Sequence, residues 1–188
     1  SNKIKMKTKK SLLTSLALAA LIFSSCEKDN PVIPNEEELI TTVKYTLTPT
    51  EGEAVTLSFI DLDGDGAGEP TKNQVTLKAN QTYTGSLELL NESETPAESI
   101  TEEIEEESEE HQFFFESELV SFEYKDNDAD GDPVGLNTLL TTGEAGTGTI
   151  KITLRHEPNK SAEGVSSGNI TNAGGETDIE VTFNIHVE

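Results

Sequence analysis

The chain of 188 residues has no tryptophan, one cysteine and one methionine. A lone cysteine excludes an internal disulfide, so the fold has to be held by an apolar core. Three tyrosines and seven phenylalanines leave few stacking platforms for a sugar-binding surface, which makes a carbohydrate-binding module the weakest of the binding readings. Basic residues are scarce as well: 13 lysines and arginines face 36 aspartates and glutamates, a formal net charge of −23. Nucleic acids and anionic lipids are bound chiefly through their phosphates, which such a chain repels. Catalytic signatures are also missing. The sequence has no GxSxG elbow, no P-loop and no dinucleotide fingerprint. Gly143, Gly146 and Gly148 lie between strand-like segments with no following helix, which reads as a hairpin turn. Carboxylates are too numerous for one pair to stand out as acid and base. The expectation is a protein that is not an enzyme.

What is present begins with the position of the cysteine. Lys3, Lys5, Lys7, Lys9 and Lys10 precede an apolar run from Leu12 to Phe23. That run is too short to span a bilayer, which takes roughly 20 residues, and it matches the core of a signal peptide. Ser24 and Ser25 put small residues directly before Cys26. The pattern predicts a lipoprotein signal peptide over 1–25, a Cys26 acylated for attachment to the outer membrane, and a tether to residue 38. A single domain follows over 39–188. The signal segment takes five of the 13 basic residues and none of the 36 acidic ones, so the remainder carries eight against 36, or −28. Cations and basic proteins are the partners that this charge favours.

Apolar and polar residues alternate with period two in several segments, the mark of half-buried strands. They include Val43, Tyr45 and Leu47; Val55, Leu57 and Phe59; Val75 and Leu77; and Leu87 and Leu89. Phe113 with Phe115 and Phe122 with Tyr124 follow, then Ile150, Ile152 and Leu154, then the run Ile179, Val181, Phe183, Ile185 and Val187. Short strands separated by Gly, Asn, Asp and Thr turns predict a mainly β fold, an Ig-like β-sandwich. One helix interrupts it. Thr95 as cap, Pro96 at the first helical position, Glu98, and Ile100 with Ile104 at i, i+4 predict a helix over about 96–110. The two halves also resemble each other: SFIDLDGDG (58–66) matches FEYKDNDADGD (122–132), and TGSLELLNE (84–92) matches TGTIKITLRHE (147–157). A duplicated strand–loop–strand–strand unit would build the sandwich.

Two constellations carry possible chemistry. Asp61, Asp63 and Asp65, and then Asp126, Asp128, Asp130 and Asp132, recur at i, i+2, i+4 around a glycine, a spacing that can gather carboxylates about Ca²⁺. The twelfth position holds Lys72 or Asn137 in place of a bidentate glutamate, so these are not EF-hands. The competing reading is of Asp/Gly turns that join strands. The second constellation is Glu103, Glu107 and His111, at i, i+4 and i+8 if the helix reaches His111, with His156 as a further ligand. Together they predict a site for Zn²⁺ or Cu²⁺.

The succession NEEELITTV (35–43), FIDLDGDG (59–66), NESETPAESITEEIEEESEEHQ (91–112) and RHEPNKSAEGVSSGNITNAGGETDIEVTF (155–183) resembles a family of small lipoproteins from Flavobacterium-like bacteria. The resemblance implies an envelope location and an accessory role beside a TonB-dependent outer-membrane receptor. Some members carry the label of a type 1 periplasmic binding fold. That fold alternates strands and helices in two lobes, whereas this chain shows one helix among strands. The function expected is a non-catalytic, envelope-anchored lipoprotein that captures a ligand, first of all a metal ion, or assists a receptor. The alternative is a structural or interaction module whose acidic helix contacts a basic partner.

Overall fold

The structure, a computed structural model, describes residues 39–63 and 68–188. Cys26, the segments around it and Asp65 lie outside the described residues.

Two sheets face each other. The first runs in the order β3 (Thr71–Lys72), β2 (Val55–Ile60), β1 (Thr42–Pro49), β5 (Thr82–Asn91), β9 (Asn137–Thr142), β8 (Val120–Tyr124). A short β6 (Glu98–Ser99) is added to one end of β5. The second runs β4 (Gln74–Leu77), β11 (Glu176–Val187), β10 (Gly146–His156), β7 (His111–Glu116). Only the β4–β11 pairing among these strands is parallel. The expected mainly β sandwich is the fold observed.

Period-two alternation builds the core. Val43, Tyr45 and Leu47 of β1 and Leu87 and Leu89 of β5 are buried with Ile150, Ile152 and Leu154 of β10 and with Val181, Phe183, Ile185 and Val187 of β11 in one cluster. Each such side chain contributes on the order of 1.5–3 kcal/mol by leaving water. A polar bond runs along the buried face of the first sheet. The Tyr45 hydroxyl reaches Thr138 Oγ1 at 2.6 Å by passing over β5 at Gly85. A Cβ at Gly85 would lie 2.4 Å from that hydroxyl, so only glycine leaves the passage open. Burial pushes the Tyr45 phenol well above its ordinary range, the Thr138 bond notwithstanding.

Alternation fails on β7, where Phe113 and Phe114 are both buried. Phe113 faces the core between the sheets, and Phe114 packs with Val165 and Ala173 in a second cluster. The segment 157–175, with 3-10 turns at Val165–Ser167 and Ile170–Asn172, thus covers the outer face of β7. Gln112, on the same outer face as Phe114, donates to the Val165 carbonyl at 2.9 Å.

The helix is shorter than the sequence pattern predicts. It spans Ile100–Glu106, and its cap is Ser99, whose Oγ accepts from the Glu102 amide. Thr95 and Pro96 fall in the preceding turn, because Glu98 and Ser99 pair with β5 and keep the chain extended. Ile100 and Ile104 are its buried residues, and the next position in that phase is Ser108. With no third apolar side chain to bury, and with no basic residue in the last turn to suit the macrodipole, the helix stops at Glu106.

The sequence repeat has no counterpart in the sheets. β2 and β8 both belong to the first sheet, whereas β5 lies in the first and its sequence counterpart β10 in the second. One twofold axis cannot relate both pairs.

Candidate metal centre

The Asp loops are built by their own donors. In the second loop, Asp126 accepts from the amides of Gly135 and Asn137, each at 2.8 Å, one on each carboxylate oxygen. Asp128 Oδ1 accepts from the amides of Asp130 at 3.0 Å and Asp132 at 2.9 Å, and its Oδ2 accepts from Lys160 Nζ at 2.7 Å. Asp126 and Asp128 are thus taken up by backbone amides and by Lys160, and the loop is closed as a turn by Asx-type bonds. Asp130 is exposed. In the first loop, Asp63 Oδ2 accepts from the Gly68 amide at 2.9 Å, which holds the Asp63 carboxyl below its ordinary range.

The histidines meet instead. β7 and β10 pair in a register that sets His111 opposite His156, and the two rings lie 4.8 Å apart between centroids. The carboxylate beside them is Asp178. Leu154 opposes Ile179 while Arg155 opposes Thr177, so Asp178 is the extra residue of a β-bulge in β11. A bulge re-aims the side chain it inserts. Plain alternation with Ile179 and Val181 would send Asp178 outward; the bulge turns it to the histidines. Asp178 Oδ2 lies 3.9 Å from His111 Nε2, and Oδ1 lies 3.8 Å from His156 Nδ1. The side chains of His111, His156 and Asp178 are 1%, 11% and 4% exposed.

A shared ion would draw these three groups closer together. With bonds of about 2.0–2.1 Å, ligand atoms sit roughly 3.3 Å apart around a tetrahedral ion and up to about 4.1 Å apart across wider angles. One ligand atom from each of the three residues lies within 4.8 Å of the others. The tautomer of His111 suits such an ion. Its Nδ1 is 3.1 Å from the Glu107 carbonyl, an acceptor only, so the proton sits on Nδ1 and the lone pair on Nε2 faces Asp178. Burial pulls the His111 pKa down and the neighbouring His156 adds to this, against the opposing Glu107 carbonyl bond and the charges of Glu107 and Glu110. The net value is below the ordinary one, which favours the neutral ligand form.

A second group adjoins the first. Glu110, His156 and Glu157 also bring one ligand atom each to within 4.8 Å of one another, with His156 Nε2 3.7 Å from Glu110 Oε2. Glu157 takes a left-handed backbone conformation at φ 49°, and its amide donates to the Glu110 carbonyl at 2.7 Å. Gly175 closes on this corner, where a Cβ would lie 2.1 Å from the His156 carbonyl oxygen.

Of the residues the sequence singles out, His111 and His156 come together, and Glu103 and Glu107 belong to neither group. The expected stripe fails because His111 begins a strand and does not end a helix. Glu107 contributes its main-chain carbonyl in place of its carboxylate. Asp178, Glu110 and Glu157 escape the sequence reading. Glu110 and Glu157 flank the two histidines in sequence, a signal that pairing of the histidines would have exposed. His186 stands apart, beside Thr147 and Glu188. Elsewhere, a groove of about 360 Å³ runs along β7 and β8, but its Phe115 and Phe122 rings stack on each other at 4.9 Å. The Tyr124 hydroxyl there donates to the Phe113 carbonyl at 2.6 Å, so the groove offers little to a sugar.

No protein-family model matches the chain, and no curated protein or solved structure matches it either.

Proposed function

We propose that the protein is an envelope-anchored, non-catalytic lipoprotein that captures one divalent transition-metal ion, Zn²⁺ or Cu²⁺, through His111, His156 and Asp178. The observation that carries this reading is the bulge at Asp178, which brings a buried carboxylate to a cross-strand pair of buried imidazoles. Two imidazoles and one carboxylate suit these ions and not Ca²⁺, which prefers six to eight oxygens. All three side chains are buried, which limits the approach of a substrate. The anchor rests on Cys26 behind its basic and apolar segments, and the association with an outer-membrane receptor rests on the family resemblance.

Titration of the purified full-length chain with Zn²⁺ should show one saturable site per chain, and His111→Ala with His156→Ala should weaken it by at least about tenfold. A wild-type chain with no saturable uptake of Zn²⁺ or Cu²⁺ ends the metal reading. The anchor is tested separately: expressed in a diderm bacterium, the wild-type chain should fractionate with the outer membrane and Cys26→Ser should not. Equal partition of the two would remove the anchor.

A further inference from the structure

His156 belongs to both groups and serves them from opposite edges of its ring. Nδ1 faces Asp178 at 3.8 Å and Nε2 faces Glu110 at 3.7 Å. The inner group is enclosed, whereas the Glu110 side chain is 57% exposed and Glu157 is exposed. We infer that Glu110, Glu157 and the Nε2 edge of His156 form a solvent-facing loading station, through which an ion reaches His111, His156 and Asp178. This deepens the metal-capture reading and rests on it.

The chemistry of one imidazole supports passage in place of two resident ions. A neutral ring has a single lone pair. An ion held at the outer station takes the lone pair on Nε2, and the ring proton then sits on Nδ1. On transfer the bond from Nε2 to the ion breaks and the bond from Nδ1 forms. The Nδ1 proton leaves to water and Nε2 takes one up, so the ring's charge and proton count are unchanged. Once the ion is inside, Nε2 carries the proton, and its 3.7 Å separation from Glu110 is beyond hydrogen-bond range, so the bound ion does not depend on Glu110. The backbone that carries the two carboxylates is fixed at this position, since each glutamate adjoins its histidine and the Glu157 amide bonds to the Glu110 carbonyl. Clefts lined with one sign of charge speed the arrival of the opposite ion.

The test uses the full-length chain, with Zn²⁺ loading and its release to a chromogenic chelator followed by stopped flow. Glu110→Gln with Glu157→Gln should slow both loading and release by about tenfold, within the 10 to 10³ range of steering effects, and leave the equilibrium affinity within about threefold. Glu51→Gln with Glu53→Gln, exposed residues of the β1–β2 turn outside both groups, makes the same change in net charge and should leave both rates as they are. Wild-type rates in the Glu110/Glu157 variant overturn the loading station. So does faster release with a matching loss of affinity, which would make the two glutamates ligands of a single site. A wild-type chain that takes up no Zn²⁺ overturns the capture reading and this inference together, whereas normal uptake with unchanged rates overturns only the inference.

Discussion

Asp178→Asn is expected to lower Zn²⁺ affinity by at least about 100-fold while leaving the metal-free fold in place. Asparagine keeps the volume and one carbonyl oxygen but removes the negative charge that faces both imidazoles. Changes in the outer partners of metal ligands already cost 10–100-fold in affinity, and loss of the only anionic group in the inner cluster should reach the top of that range. Thermal unfolding reads this directly. At Zn²⁺ 100 times the wild-type Kd, binding stabilises the wild type by about 2.7 kcal/mol; a 100-fold weaker variant gains only about 0.4 kcal/mol at the same concentration. The melting temperature without metal separates loss of a ligand from loss of the fold. A variant whose melting temperature still rises with Zn²⁺ as the wild type's does would remove Asp178 from the site.

The sandwich was legible because its strands are covered mainly on one face. Wherever one face meets the core and the other meets water, period two survives in the sequence, as in β1 and β11. β7 is covered on both faces, so Phe114 stands between Phe113 and Phe115 and the alternation does not show that its second face is buried too. The helix was legible in existence and not in extent: Ile100 and Ile104 mark its buried face, but glutamates after them are compatible with helix or turn, and packing decides. The same difference carries into the site, since the stripe of Glu103, Glu107 and His111 needs five more residues of helix. The histidines were legible as metal-capable side chains, and only the β7–β10 register supplies their proximity. Asp178 was hidden for a sharper reason. A bulge inverts the parity on which strand reading depends, and the inversion occurs at the residue that matters. The Asp loops show the converse limit. Spacing reveals acceptors, but the donor that satisfies Asp128 is Lys160, 32 positions later.

That last pair sets the largest stability effect expected in the molecule. Asp128→Asn should cost about 3–5 kcal/mol, because it leaves the Lys160 ammonium buried without its counter-ion. The side chains of Lys160 and Asp128 are 6% and 2% exposed, so little water can take over. Burial by itself pushes the Asp128 carboxyl up, but the Lys160 bond and the amides of Asp132 and Asp130 outweigh it, and the net value is depressed. For a depressed carboxyl the stabilisation is complete above the unfolded-state pKa of about 3.9 and is lost as pH falls through the lower folded value. In urea titrations the wild type should therefore exceed the variant by its full margin at pH 7, with the gap closing below about pH 4. A gap under about 1 kcal/mol at pH 7, or one that does not narrow in acid, would show that the pair holds nothing together. The same lysine donates to the Ser108 carbonyl at 2.7 Å. Ser108 lies between Glu107, whose carbonyl fixes the His111 tautomer, and Glu110, which faces His156. The clamp thus joins the Asp loop to the turn that carries the histidine partners. Loss of Asp128 should accordingly weaken Zn²⁺ binding as well, although no atom of Asp128 belongs to the metal-capable groups.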